Sequence, residues 1–176
     1  MSARRYPSAR YLRQCFKYKN GKLFWRERPL AHFTKQNLHR RWNSRYAGKE
    51  AGSLSTIGRY VIGLDGRRYY RYRLVWALFR DEWPPRLDHK NRNSYSDSLS
   101  NLRVATHKQN LCNRGKSKNN TSGYKGVCWD KENDKWIAQI RSDGRNFNLG
   151  RFSTITAARD AYVKAAKHMH GKFACV

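Results

Sequence analysis

The spacing of apolar residues predicts a β-hairpin followed by a helix in the middle of the chain. Residues 59–70 form two apolar and aromatic runs separated by Asp65 and Gly66. This dipeptide is typical of type I′ hairpin turns, because both central residues of that turn take positive φ. The apolar positions within residues 74–79 then follow the helical repeat. That helix ends before Pro84, since proline cannot continue a helix.

A second group of short elements comes next. Residues 87–90 and 102–105 are typical of short strands and flank the polar loop 91–100. Thr106 is a good helix N-cap, so a helix is predicted from there to Asn113. The predicted order over this stretch is strand, loop, strand and helix.

A small sheet and one helix are predicted at the C-terminal end. Strands are indicated at residues 125–129, 135–141 and 147–152, with the turn dipeptide Asp143-Gly144 between the last two. The most regular helical pattern in the chain then covers residues 154–168. This part is therefore predicted as a three-stranded antiparallel sheet packed on one helix.

The N-terminal third has a weaker pattern. Residues 22–25 form an apolar run after the turn dipeptide Asn20-Gly21 and are predicted as a strand. Residues 28–58 show little periodicity and are predicted to be irregular.

The polar, flexible segment 115–121 is the best domain boundary. We therefore divide the chain into a basic N-terminal region of unassigned fold (1–58), a first domain (59–114), a linker (115–121) and a second domain (122–176).

Charge identifies the kind of partner. The 176 residues carry a formal net charge of +26, which requires a polyanion: a nucleic acid or an anionic membrane surface. Aromatic residues make up 14% of the chain, which favours a folded protein over a disordered basic tail. No apolar stretch approaches the roughly 20 residues that span a bilayer, and the first residues lack the apolar segment of a secretion signal. The four cysteines form no CxxC pair, so we expect neither a disulfide framework nor a structural zinc site, and a reducing cytoplasm is the expected setting.

The first predicted domain contains a candidate catalytic constellation. Asp88 and His89 are adjacent at a predicted strand end, and Asn110 follows on the next helix. A carboxylate and an amide oxygen suit a hard divalent cation, and an imidazole can take a proton near neutral pH. Since neighbouring strand residues point to opposite faces, a strand irregularity is needed to bring Asp88 and His89 to one site.

The stretch from Leu87 to Asn113 resembles the HNH endonucleases of bacteriophages, in the His-Asn-Asn form found in intron homing enzymes. That resemblance implies a ββα-metal fold, with His89 as the general base that activates water. It implies that Asp88 and Asn110 hold one divalent metal ion, Mg²⁺ or alternatively Mn²⁺, and that Asn101 braces the loop and orients His89.

Two features near this motif qualify the roles of its residues. His107 lies three residues before Asn110 on the same helical face, and we keep it as the alternative metal ligand. The family often has Asp-Asn-Arg where this chain has Ser96-Asp97-Ser98, positions that we expect to stabilise the loop.

The segments 122–127, 135–141 and 149–152, together with residues 156–162 and 171–174, resemble the apetala-type DNA-binding domain of plant ethylene-response factors. The resemblance implies a three-stranded sheet that reads the major groove. Trp129 and Trp136 have an alternative interpretation as core anchors between sheet and helix. The predicted DNA contacts are Lys125, Trp129, Gln139, Arg141, Arg145, Asn146 and Asn148, joined by phosphate contacts from Arg40, Arg41, Arg67, Arg68 and Arg71.

The two resemblances together predict an α+β protein with a ββα-metal nuclease domain followed by the sheet-plus-helix domain. The expected function is metal-dependent, homing-type and strand-nicking cleavage of double-stranded DNA by a monomer in a bacterial host cytoplasm. Two alternatives remain: a non-catalytic DNA-binding regulator, and an RNA-binding or ribosome-associated protein.

Overall fold

Helices and small antiparallel sheets make up the structure, a computed structural model that describes residues 6–176. Residues 1–5, the start of the predicted basic N-terminal region, lie outside the described part. Contacts divide the chain into two units, one ending at Val104 and the other beginning at Ala105. The mixed α and β content agrees with the predicted fold class.

The first unit contains three small sheets and three helices among its described residues. The sheets pair β1 with β2, β3 with β4 and β5, and β6 with β7, all antiparallel. The elements are α1 (Ala9–Cys15), β1 (Phe16–Lys19), β2 (Lys22–Trp25), α2 (Gln36–Tyr46), β3 (Ser53–Leu54), β4 (Tyr60–Leu64), β5 (Arg67–Tyr70), α3 (Arg71–Arg80), β6 (Leu87–His89) and β7 (Leu102–Val104).

Turn dipeptides place the hairpins as predicted. Asn20 and Gly21 join β1 to β2 with φ of 49° and 81°, and Asp65 and Gly66 join β4 to β5 with φ of 49° and 72°. Positive φ at both central residues is the type I′ pattern, whose twist matches that of paired strands. The predicted hairpin over residues 59–70 is confirmed.

Residues 28–58 are not irregular, because they contain α2 and β3. The prediction is wrong because contacts with distant residues, rather than a strong apolar repeat, hold α2 in place. Trp42 packs edge-on against Trp25 with ring centroids 4.9 Å apart. Asn43 accepts a hydrogen bond from the Arg28 amide and donates one to the Arg28 carbonyl, each 3.0 Å long.

One hydrophobic core ties the hairpin β6–β7 to the rest of the first unit. Leu12, Leu23 and Leu74 are fully buried in it, as members of α1, β2 and α3. Leu87 and Leu102, from β6 and β7, join the same cluster. The strand that carries Asp88 and His89 is therefore fixed to the core at its start and through its partner strand.

The second unit contains the predicted sheet and helix. Its elements are α4 (His107–Cys112), β8 (Val127–Asp130), β9 (Lys135–Ser142), β10 (Arg145–Phe152) and α5 (Ile155–His170). The strands lie in the order β10-β9-β8, and α5 buries Ala158, Tyr162 and Ala166 against one face of the sheet. The predicted three strands and helix are confirmed.

Helix α4 belongs to the second unit and is capped at both ends. Thr106 and Gln109 form a capping box at its start, as the N-cap prediction required. Lys125 donates from Nζ to the carbonyls of Cys112 and Arg114, at 2.9 and 2.6 Å, where the helix ends. The predicted linker 115–121 thus lies within the second unit.

The described chain has no helix long and apolar enough to cross a membrane.

We expect Gly126→Ala to destabilise the second unit strongly. Gly126 has φ +71°, and a Cβ there would overlap the Tyr162 ring and the Gln139 carbonyl. Gly144→Ala is the matched control, because Gly144 has φ +76° with nothing near its Cβ position. Backbone strain alone predicts a loss of about 1 kcal/mol for the control. The overlap should add about 2 kcal/mol or more at Gly126. Urea unfolding of both variants measures the difference, and equal losses would contradict this packing account.

Candidate functional site

The side chain of His89 is buried and held in one orientation. Its Nε2 lies 2.8 Å from Oδ1 of Asp97, and its ring makes an edge contact with Tyr72 at 5.3 Å between centroids. Only 8% of the side chain is exposed. The imidazole is therefore positioned by a carboxylate on one side and an aromatic ring on another.

Asp97 links His89 to a buried arginine. Its side chain is 1% exposed, and its Oδ2 accepts a 2.9 Å hydrogen bond from Nε of Arg71. The same guanidinium pairs with Glu50 at 3.0 Å and lies 3.7 Å from the ring centroid of Tyr60. Charge on the buried carboxylate is thus balanced by a buried cation, as burial requires.

The predicted role of Arg71 in DNA binding is wrong. Arg71 is 2% exposed, and all three of its guanidinium nitrogens bond to Asp97, Glu50 or the carbonyl of Tyr95. It begins α3 and points into the unit to meet the loop that follows β6. By contrast, Arg67 and Arg68 are exposed on β5 beside the hairpin turn.

Sequence reasoning missed the contact between Asp97 and His89. Asp97 was expected only to stabilise the loop, yet it bonds directly to the candidate base. One signal was present: Asp88 and Asp97 are the only acidic residues between positions 88 and 121. An acidic residue in so basic a stretch indicates a carboxylate that is paired with basic side chains.

Asn101 braces the loop between β6 and β7. Its Oδ1 accepts from the Asn91 amide at 3.0 Å. Its Nδ2 donates to Oδ1 of Asn91 at 2.9 Å and to the Ser96 carbonyl at 2.7 Å. Asn101 therefore holds the chain beside Asp97, while Asp97 itself makes the contact with His89.

Asp88 is buried and pairs with Arg103 across the hairpin. Nε and Nη2 of Arg103 lie 2.8 and 2.7 Å from Oδ2 of Asp88. The β6–β7 register is regular, with Asp88 opposite Arg103 and His89 opposite Leu102. The expected strand irregularity is therefore not found, and strand alternation directs Asp88 and His89 to opposite faces.

The two candidate ligands on α4 lie in the second unit, whereas Asp88 lies in the first. Asn110 is half-buried and His107 is exposed. Within residues 6–176 there is no group of three His, Cys, Asp or Glu side chains arranged to hold a metal ion. The pairing of Asp88 with Asn110 or His107 stays a prediction.

Four predicted DNA contacts share the sheet face opposite α5. Arg141 stands opposite Asn146, and Gln139 stands opposite Asn148, on the neighbouring strands β9 and β10. All four side chains are exposed, whereas Ala138 and Ile140, the alternate residues of β9, are buried toward α5. We call Gln139, Arg141, Asn146 and Asn148 the open-face quartet.

The remaining predicted contacts of this unit lie elsewhere. Trp129 pairs with Trp136, and their rings meet edge-on with centroids 4.9 Å apart. Trp136 packs against the core beneath α5, in line with its alternative interpretation as a core anchor. Alternation places Trp129 on the same side of the sheet, but its side chain is exposed and lies outside the core. Arg145 stands opposite the buried Ser142, on that same side. Lys125 is occupied at the end of α4.

A β-bulge and an ion pair shape the open face. The register shifts between Asn148 and Gly150, and Oδ1 of Asn148 accepts the Gly150 amide at 2.9 Å, which leaves its NH₂ group as the outward donor. Arg151 reaches over β9 to Asp130 on β8, with Nε 2.8 Å from Oδ2. This hydrogen bond with Arg151 lowers the pKa of Asp130 below its ordinary value.

The AP2 domain family matches residues 122–172, the sheet and helix of the second unit. Protein 3.8 of Escherichia phage T7 is 34% identical to this chain over 88 residues, which cover 50% of this chain and 72% of the phage protein. The chain belongs to the family of phage T7 protein 3.8. No solved structure matches it.

In this member of the protein 3.8 family, Asp97→Asn is expected to lower the free energy of unfolding of the first unit by about 3 kcal/mol. The substitution keeps the shape of the side chain but removes the buried one of the two carboxylates that pair with Arg71, leaving only the partly exposed Glu50. Losing one partner of a buried ion pair is costly. Glu27→Gln, an exposed position in the same unit, should change stability by about 0.5 kcal/mol or less. Urea unfolding followed by tryptophan fluorescence tests both. Equal midpoints for the two variants would show that the buried pair does not stabilise the unit.

Proposed function

We propose that this protein binds double-stranded DNA and that its hairpin β6–β7 carries the catalytic base of a metal-dependent DNA endonuclease. The AP2 domain match supports DNA binding. The buried His89 held by Asp97 supports catalysis, and it is the observation that carries the endonuclease proposal.

His89 has the surroundings of a general base. Asp97 accepts a hydrogen bond from Nε2–H of the ring, which favours the tautomer with Nδ1 as the basic nitrogen. In the proposed reaction, Nδ1 takes the proton of the water that attacks the phosphorus. Arg71 keeps Asp97 in place during this step, and Asn101 keeps the loop in place.

Oxygen donors are available for the divalent ion that such a reaction uses. The resemblance to HNH endonucleases implies that Asp88 and Asn110 would hold Mg²⁺ or Mn²⁺ through oxygen, the donor that hard cations prefer. His107, a nitrogen donor, is the alternative to Asn110. The ion, when bound, stabilises negative charge on the phosphoryl and leaving oxygens. One such site per chain cuts one DNA strand, so a monomer nicks the duplex. The phage relative favours a bacterial host as the setting.

The alternative is a DNA-binding regulator without catalysis, and one observation favours it. Two nitrogens of Arg103 bond to Oδ2 of Asp88, so a metal ion bound by Asp88 must share its carboxylate with the Arg103 guanidinium. In the endonuclease proposal, substrate phosphate competes with Asp88 for Arg103, since guanidinium binds phosphate and carboxylate in the same way. In the regulator, the Arg103–Asp88 pair only joins the two strands.

The open-face quartet is proposed to contact base edges. The quartet lies on the two neighbouring strands β9 and β10, and a two-stranded ribbon is narrow enough for a major groove about 12 Å wide. Arginine suits guanine, and glutamine suits adenine. Asn148 has a donor directed outward, so it suits acceptors such as guanine O6 or thymine O4.

We expect Arg141→Ala to lower affinity for a bound DNA site by about tenfold or more, as loss of a bidentate base contact does. Arg145→Ala is the matched control, with the same charge change on an exposed residue of the helix-side face. Gel-shift titrations at one salt concentration compare the two. Equal losses would show that the open face does not read DNA.

We expect His89→Ala to abolish Mg²⁺-dependent nicking while DNA binding persists. Loss of a general base lowers rates by about 10² to 10⁴-fold. Purified full-length chain is incubated with supercoiled plasmid, and with a fragment library of phage and host DNA, in Mg²⁺, Mn²⁺ or EDTA. His168→Ala, at an exposed position on α5, is the control and should cut normally.

Because His89 is buried, a second variant, His89→Gln, and a thermal melt of each variant separate lost chemistry from lost folding. Nicking that survives in EDTA or in folded His89→Ala protein would exclude His89 as the base. Site-specific binding without cleavage of any fragment would favour the regulator.

A further inference from the structure

We propose that helix α2 of the first unit is a second DNA-reading element, which lies in a major groove with its outer face against the bases and phosphates. The outer face comprises Gln36, Asn37, Arg40, Arg41 and Ser44. This inference rests on the proposed DNA-binding function, and it adds an interface separate from the AP2 sheet. The ligand class is duplex DNA.

The charge around α2 has one sign. Residues 28–49 contain six lysines and arginines and no aspartate or glutamate. Arg40, Arg41 and Arg45 are exposed on the helix, and no acidic residue stands in its first turn. Such a surface attracts phosphates and repels cationic partners.

The exposed positions form one continuous stripe. Positions 36, 37, 40, 41 and 44 are exposed and follow the three-to-four-residue helical repeat. The opposite side of the helix carries His39, Trp42, Asn43 and Tyr46, which are buried or half-buried. The helix has 11 residues and is about 16 Å long, with one polar face, and a single helix fits the major groove.

Helix α2 is held rigidly without help from its outer face. Arg28 lies 5.1 Å from the Trp42 ring centroid, and its backbone makes the two hydrogen bonds to Asn43. Within residues 6–176, the side chains of Arg40 and Arg41 make no hydrogen bond or ion pair. The fold therefore leaves two cations on a fixed helix face, and prior anchoring lowers the entropy cost of binding.

The side chains favour DNA over an anionic membrane. Leu38 is the only exposed aliphatic side chain on the helix, so α2 lacks the apolar face that membrane-surface helices insert. Gln36 presents an amide of the kind that pairs with adenine, and arginine pairs with guanine or phosphate. A stripe of amide, guanidinium and hydroxyl groups matches base edges and phosphates together.

The double variant Arg40→Ala/Arg41→Ala tests the phosphate contacts. We expect the slope of log affinity against log salt to become shallower by about 1.8, since each lost phosphate contact contributes about 0.9. The matched control is Lys164→Ala/Lys167→Ala, which removes two exposed charges from helix α5 and should leave the slope nearly unchanged. Alanine favours helices, so both pairs should fold, which circular dichroism checks.

Gln36→Ala tests base reading. We expect about tenfold weaker binding to the preferred site, an unchanged salt slope, and a loss of preference at one base pair when selected sites are sequenced. The measurements use the full-length chain and the DNA fragment that the wild type retains most tightly in a selection from random duplexes.

The outcomes separate this inference from the proposed function. If the wild type binds duplex DNA but the Arg40/Arg41 pair behaves like the α5 control, the inference about α2 is overturned and the AP2 interface stands. If the pair weakens binding to anionic vesicles and leaves DNA binding intact, α2 is a membrane element and the inference fails. If the wild type binds no duplex DNA, both are overturned.

Discussion

The candidate catalytic site depends on the hydrogen bonds that the buried carboxylate of Asp97 makes with His89 and Arg71. The carboxylate stands between the imidazole of His89 and the guanidinium of Arg71, with side chains exposed by 8% or less. Burial makes each group costly alone and stable only together. These three side chains join three separate segments: the end of β6, the loop before Asn101 and the start of α3. A displaced loop would therefore move the candidate base as well as lose stability.

Strand alternation imposes the second constraint, because it decides which polar side chains of the AP2 sheet are available. On β9, Gln139 and Arg141 face away from α5, whereas Ala138 and Ile140 are buried beneath it. The type of a residue does not show which face of the sheet its side chain occupies. That face is set by the residue's position in the strand and by its pairing with the neighbouring strand. Arg145 has the same chemistry as Arg141 but stands opposite Ser142 on the helix side. The strand register therefore places Arg141 on the open face and Arg145 on the face that packs against α5.

Much of the local structure could be predicted, because its causes are local. The turn dipeptides at Asp65 and Asp143, and the N-cap at Thr106, determine backbone shape within a few residues. The pairing of Arg71 with Asp97 joins residues 26 apart and leaves no periodic trace. Helix α2 depends on Arg28 and Trp25 rather than on its own apolar pattern, so its sequence resembles an irregular segment. The AP2 match shows that the second unit's pattern was distinctive, whereas the candidate nuclease motif rests on few residues.

A net charge of +26 explains affinity for DNA but not choice of site. Phosphate contacts act equally on all sequences, and selectivity needs side chains fixed against base edges.

Both proposed reading elements meet that need in the same way. The quartet sits on a sheet whose other face packs on α5, and the outer face of α2 sits on a helix anchored by Trp42 and Asn43. In each element, one face packs against the protein core and the other face is polar and exposed. Neither element therefore has to rearrange to bind DNA. Because one element lies in each unit, the chain can divide site selection between them, and the unit that carries His89 then has its own means of holding DNA.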